Sequence, residues 1–169
     1  MNDFVKRLRD LMGTPSTDPA VEEFLNQFGI KARPKLEKGD YRAYLPEPSK
    51  GFSVIFTNGP HLGNPKFKKI KKGVLILTGC HFYSEGWQKY KQFAGALPCE
   101  LDFKDTRKKV VKKLGDASWQ SVEGDIVERE RWENGDRQLN VTYLEKEAGI
   151  AIVYFGIREF FAKDVEVEL

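Results

Sequence analysis

The sequence predicts an α+β fold of two tandem helix-plus-antiparallel-sheet repeats, with the helices on one face of the sheet. Three observations carry that prediction. Two amphipathic segments each end at a glycine, matched runs of alternating apolar residues follow each segment, and a tight hairpin signal sits inside the second run.

Residues 3–12 predict a leading helix, with Phe4, Val5, Leu8, Leu11 and Met12 at helical spacing and no counterpart later in the chain. Residues 18–29, DPAVEEFLNQFG, predict the helix of the first unit. Asp18 can accept from the first free amides, Pro19 suits the first turn, and Glu22 and Glu23 lie near the positive end of the helix. Val21, Phe24, Leu25 and Phe28 form its apolar stripe, and Gly29 supplies a left-handed cap. Residues 105–115, DTRKKVVKKLG, repeat the plan, with Asp105 as the cap, Val110, Val111 and Leu114 as the stripe and Gly115 as the stop.

The segments after each glycine match in kind. In the first unit, strands are predicted at 41–45 and 52–57, with Phe52, Val54 and Phe56 alternating, and at 73–78 (GVLILT). In the second, a polar stretch at 118–124 precedes strands at 126–132, 139–143 and 149–155, with Leu139, Val141 and Tyr143 alternating. The Asn134-Gly135 pair between the first two of these is a hairpin signal. Residues 84–98 read as a bridge that leads through a turn into a short strand at 100–103. The tail from residue 158 to 169 alternates weakly, at Val165, Val167 and Leu169. The expected division is therefore 1–83 for the first unit with its extra helix, 84–98 for the linker and 99–169 for the second unit.

Composition narrows the function. The chain has 169 residues, enough to bury roughly 70% of its unfolded surface without a disulfide or metal. Twelve phenylalanines, six tyrosines and three tryptophans predict an aromatic core. Charged residues make up 31% of the chain, yet the net charge is only +3, so no nucleic-acid partner is expected. The opening residues lack the apolar run of a signal peptide, and no stretch is long enough to span a membrane. A cytoplasmic protein with free thiols at Cys80 and Cys99 and no membrane partner is expected.

No catalytic set is assembled in the sequence, so the expectation is a binding protein and not an enzyme. Histidine occurs only at His61 and His81, and Cys80 and His81, adjacent on a strand, must face opposite ways. Metal-ligand spacings, a phosphate loop and a nucleophile elbow are all missing, so neither metal nor cofactor is expected. The run Glu128-Arg129-Glu130-Arg131 reads as a salt-bridged strand face. An enzyme with a dispersed site stays open as a third reading. A deep pocket holding His61 or His81 near several carboxylates would support it.

Two basic clusters, 66–72 and Lys104, Arg107, Lys108, Lys109, Lys112 and Lys113, read either as solvated faces or as a surface that steers an acidic partner, with RNA binding a weaker third reading. Trp119 and Trp132 read as core or interface residues, as do Trp87 and Tyr90. The candidate partner-binding residues are His61, Lys66, Lys68, Tyr83, Trp87, Tyr90, Arg131 and Trp132. They are expected on the more polar sheet face, that of Ser53, Thr57, Asn140 and Thr142, and on the loop at 61–72.

Helix, glycine cap and antiparallel meander, given twice, resemble the beta-lactamase-inhibitor-protein-like fold. Asp105, Val110, Leu114 and Gly115 match its recurring pattern, and Asp18, Phe24, Phe28 and Gly29 follow it more loosely. The stretch from Phe93-Ala94-Gly95-Ala96-Leu97-Pro98 to Gly115, with Arg131-Trp132 and 139–143, is similar to cytoplasmic immunity proteins of bacterial contact-dependent toxin systems. That resemblance implies a protein that binds and neutralises a cognate toxin domain. The alternative is a non-enzymatic interaction or assembly module unrelated to toxins.

Overall fold

A computed structural model describes residues 3–158. Seven strands, β1 (Arg42–Glu47), β2 (Phe52–Asn58), β3 (Leu75–Tyr83), β4 (Trp119–Glu123), β5 (Ile126–Asn134), β6 (Arg137–Tyr143) and β7 (Ile150–Ile157), form one antiparallel sheet. Their spatial order is β1-β2-β3-β7-β6-β5-β4, so β3 and β7 join the two halves of the chain. Three helices accompany the sheet among the described residues: α1 (Phe4–Leu11), α2 (Pro19–Gln27) and α3 (Arg107–Leu114). None is long and apolar enough to cross a membrane. The tail strand considered for 158–169 lies outside the described residues beyond Arg158.

The helices cover one face. Phe4, Leu8, Val21, Phe24, Leu25 and Val110 share a core cluster with Phe52, Val54 and Phe56 of β2 and with Leu139 and Val141 of β6. Ser53 and Ile55 on β2 and Asn140 on β6 take the opposite face, so period two decides which side each enters. Phe4 sits at the centre of the first half. It is fully buried, and its ring centroid lies between 4.6 and 5.9 Å from those of Phe24, Phe28, Phe52, Phe82 and Phe93. Tilted and edge-on contacts of this kind add to the area each ring buries.

α2 forms as its sequence dictates. The Asp18 carboxylate accepts from the Ala20 amide at 2.8 Å, with Pro19 in the first turn. At the other end Ile30 N donates to Leu25 O and Gly29 N to Asn26 O, the paired bonds of a Schellman cap, with Gly29 at φ +67°. Lys50 adds its ammonium to the carbonyls of Phe28 and Gly29.

α3 departs from expectation at both ends. Its cap is Thr106, whose hydroxyl accepts from Lys109 N, and not Asp105. Asp105 is buried and accepts instead from Asp102 N at 2.9 Å and Lys113 Nζ at 2.6 Å. Gly115 has φ +78° but ψ −165°, so the chain leaves α3 extended, without the reversal that Gly29 makes.

Further corrections concern strands. No strand forms at 100–103, because Leu101 and Phe103 turn into the core and Phe103 O accepts from Ile150 N. The polar stretch at 118–124 contains β4, an edge strand whose ladder partner is β5. The turn expected at 133–136 from its Asn-Gly pair forms there, with Gly135-Asp136 as the two-residue loop, since Asn134 pairs with Arg137. Gly135, at φ +59°, takes the first loop position that two-residue hairpins favour for glycine.

The bridge at 84–98 is fastened to the first half. Phe93 is buried among the aromatic rings, its amide donates to Tyr83 O, and Lys91 N donates to Pro48 O. Gly51 permits this: a Cβ there would strike the backbone of Lys91, Gln92 and Phe93, and its φ is +79°.

Candidate functional site: the open sheet face

Opposite the helices the sheet carries a different side-chain set. One row crosses six strands: Ser53, His81, Tyr154, Asn140, Arg131 and Trp119 stand directly opposite one another in turn. Arg129 and Thr142 are paired in a parallel row two residues away. In the adjoining row Ile55, Gly79, Gly156 and Gln138 are neighbours. The two glycines leave the middle of the face without side chains, and the ring of Tyr154 lies against them.

The result is a hollow of about 340 Å³, lined by Arg42, Ile55, His81, Trp119, Arg129, Arg131, Gln138, Asn140 and Tyr154 together with Glu130. That volume is within the range of sites that take a small ligand or a side chain of a partner. The Arg131 guanidinium lies over the Trp119 ring at 5.3 Å and its Nε is 3.1 Å from Glu133 Oε1. Glu133 also meets Arg158 Nε at 3.1 Å. Glu130, 2% exposed, receives Arg107 at 2.9 Å and the Tyr143 hydroxyl at 2.7 Å. Its carboxylate is therefore engaged, and burial with that hydrogen bond pushes the Tyr143 phenol well up.

His81 lies between Tyr83 and Tyr154, with ring centroids 6.1 and 5.3 Å away. Burial, and then the positive charge of Arg42, push its pKa down to about 4, so the ring is neutral at pH 7. Among the described residues its neighbours in the hollow include arginine, tyrosine and asparagine. Cys80, the next residue in the chain, faces the core as alternation requires, and burial raises its thiol pKa. Among the described residues no group of three or more His, Cys, Asp or Glu side chains is placed to hold a metal ion.

The candidate residues scatter over the molecule. Arg131 lines the hollow. Trp132, its neighbour, points to the helix side, packs against the core and donates from Nε1 to Gly115 O at 3.0 Å. His61, Lys66 and Lys68 sit exposed on the loop after β2, at the end of the sheet where Asp136 turns the β5–β6 hairpin. Lys66 Nζ lies 3.9 Å from Asp136 Oδ2, and His61 is 5.6 Å from Tyr41.

Tyr83, Trp87 and Tyr90 occupy the other end. Tyr83 and Tyr90 stack at 3.8 Å, which leaves Tyr83 only 6% exposed, and burial and Tyr90 push its phenol up. Trp87 lines a second, shallower hollow of about 590 Å³ with Ile126, Val127, Thr142, Tyr143 and Leu144.

Of the residues that line the open-face hollow, Arg131 alone was among the candidates; Arg42, Trp119, Arg129 and Tyr154 were not. Trp119 is 46% exposed, so the core reading given to it does not hold. For Arg42 and Tyr154 the signal that could have found them is phase, since they alternate with Ala43 and Leu45 and with Val153 and Phe155. Arg129 shares its parity with the buried Val127 across the β4–β5 register shift, and β4 has no buried apolar set to place Trp119 against. No protein-family model, curated protein or solved structure matches this chain.

Proposed function

We propose that this chain is a non-enzymatic binding protein whose open sheet face grips another protein, and that it serves as an immunity protein neutralising a cognate bacterial toxin domain. The observation that carries the binding reading is the row of Ser53, His81, Tyr154, Asn140, Arg131 and Trp119. Among the described residues no helix covers the face it lines, and the row ends in an exposed tryptophan beside an arginine. Tryptophan, tyrosine and arginine are the residues that concentrate binding energy in protein interfaces. Blocking a toxin requires a complementary surface and no chemistry of its own.

The toxin reading draws on sequence. The resemblance of 93–115, Arg131-Trp132 and 139–143 to immunity proteins supports it, and such a protein would act in the cytoplasm of the producing cell. The tandem beta-lactamase-inhibitor-protein-like reading is supported by strand order. Outward from the β3–β7 junction, β2 then β1 on one side answer β6 then β5 on the other, each set following a glycine-ended helix. β4 is then an addition to the second unit.

The test is growth rescue. The C-terminal domain of the protein encoded directly upstream of this gene is expressed with the chain, or with a Trp119→Ala, Tyr154→Ala double variant, and is expected to be toxic alone. Rescue by the parent and its loss in the folded double variant is the expected result. Rescue that ignores the double substitution, or no rescue by the parent, overturns the proposal.

A further inference from the structure

We infer that the β2–β3–β7 half of the open face is a seat for the chain's own segment 159–169, which lies across it as a strap in the free protein. Such a strap concerns the face before any partner arrives, and it stands whether or not that partner is a toxin.

Burial is the first argument. Ile55 on β2 lines the open side, yet it is 2% exposed. Ser53, on the same side of β2, is 3% exposed, and Gln138 on β6 is 6% exposed. The next two positions in the row of Ile55 are Gly79 and Gly156, which have no side chains to shield it. The three helices pack into the core on the other side of the sheet. An apolar side chain flanked by glycine leaves water only under a second layer. The cover is local, because at the β4 end of the same face Trp119 is 46% exposed and Arg129 is exposed.

The second argument is where the chain leaves β7. Arg158 donates from its amide to Asp136 O at 2.7 Å, and its guanidinium meets Glu133, which also holds Arg131 of the open-face row. Residues 159–169, EFFAKDVEVEL, follow from there. Such a segment reaches about 35 Å when extended, whereas β2 lies two strands from β7, about 10 Å away. Met1 and Asn2 are not rivals for the seat, because they precede α1, whose Phe4 and Leu8 enter the core on the helix side.

The segment has the composition of a strap. Phe160 and Phe161 supply apolar area, and Val165, Val167 and Leu169 alternate, which suits a chain laid flat with every second side chain turned down. Glu159, Asp164, Glu166 and Glu168 suit a seat whose far rim carries Arg42. The strap leaves the β5–β4 end, with Trp119 and Arg129, to a partner.

The test is made by NMR on the full chain, with isoleucine, leucine, valine and phenylalanine side chains labelled. Nuclear Overhauser contacts are expected between the Ile55 methyls and side chains of 159–169. A variant of the full chain with Phe160→Ser, Phe161→Ser, Val165→Ser and Val167→Ser keeps its length and charge. In it a soluble gadolinium chelate is expected to broaden the Ile55 methyls as strongly as those of Ile126, which is 44% exposed. The methyls of Val141 and Val153, buried among the helices, are expected to stay protected, which verifies the fold.

No contact between Ile55 and the segment would overturn the proposal. So would an Ile55 that stays protected in the folded variant, because the side chains of the face itself then bury it. Contacts that arise only between chains, in a sample mixing labelled and unlabelled protein, would overturn it as well and assign the seat to a second copy.

Discussion

Arg131 and Trp119 stand directly opposite each other on β5 and β4, and the guanidinium carbon lies 5.3 Å from the centre of the indole ring. The pair holds a half-exposed tryptophan in one orientation at the edge of the sheet. A cation over an indole at an exposed site contributes about 0.5–1 kcal/mol. Trp119→Ala is therefore expected to lower stability in urea denaturation by about 1 kcal/mol or less. The same substitution is expected to weaken toxin neutralisation far beyond what that loss explains. A large fall in stability instead would show that Trp119 is a packing residue.

Arg107, Glu130 and Tyr143 form the opposite case, a polar cluster on the helix side of the sheet. Glu130 is 2% exposed and both its oxygens are engaged, one by Arg107 at 2.9 Å and one by the Tyr143 hydroxyl at 2.7 Å. Removing the cation leaves a buried carboxylate uncompensated, so Arg107→Ala is expected to cost about 3–5 kcal/mol, towards the lower figure because Arg107 is partly exposed. Tyr143→Phe removes one hydrogen bond and is expected to cost about 1–3 kcal/mol. Chemical denaturation of both variants checks the order. Equal, small losses would mean that water already screens the pair.

His81 makes folding sensitive to acid. Its pKa is near 4 in the folded chain, lowered by burial and by Arg42, against about 6.5 when unfolded. As pH falls below about 6.5 the unfolded state takes up a proton that the folded state refuses, so stability falls. The fall levels off near pH 4, where the folded ring protonates too. The full effect is up to about 3 kcal/mol. Among the described residues the groups facing the ring are Ser53, Tyr83, Tyr154 and Arg42, none of them an anion at these pH values. His81→Gln is expected to lose less stability between pH 7 and pH 4.5 than the parent, measured as urea midpoints at the two values. Parallel losses in both proteins would refute the assignment.

Much of the sheet was legible because apolar alternation reports burial directly. Leu139, Val141 and Tyr143 are all buried, as are Phe52, Val54 and Phe56. The same alternation explains what was misread in Glu128-Arg129-Glu130-Arg131. A strand sends neighbours to opposite faces, so Glu130 enters the helix side while Arg129 and Arg131 stand on the open side. The hollow itself was not legible. Its row draws on β2, β3, β7, β6, β5 and β4, and sequence does not state that β3 pairs with β7 or in what register. Lys66 and Lys68 misled for a related reason: a run of lysines reports exposure, which many surfaces share, and not proximity to a site.

Gly79 and Gly156 offer the sharpest test of how the face is built. They are partners across the β3–β7 junction and both lack a side chain on the open side. A Cβ on Gly156 would collide with the Tyr154 hydroxyl and come within 2.5 Å of Thr78 O; one on Gly79 would come within 2.6 Å of Phe155 O. Tyrosine can swing away, but the carbonyls belong to the ladder and cannot. Gly156→Ala is therefore expected to cost about 1–3 kcal/mol through overpacking, read from urea denaturation. It is also expected to displace the Tyr154 ring and so to weaken binding of the toxin domain by the folded fraction. Tyr154→Ala separates the two effects, because without the phenol only the carbonyl clash remains. In that background the added methyl is expected to destabilise still, and to leave the residual affinity unchanged. A further loss of affinity there would mean that the glycine pair shapes the hollow through the backbone and not through Tyr154.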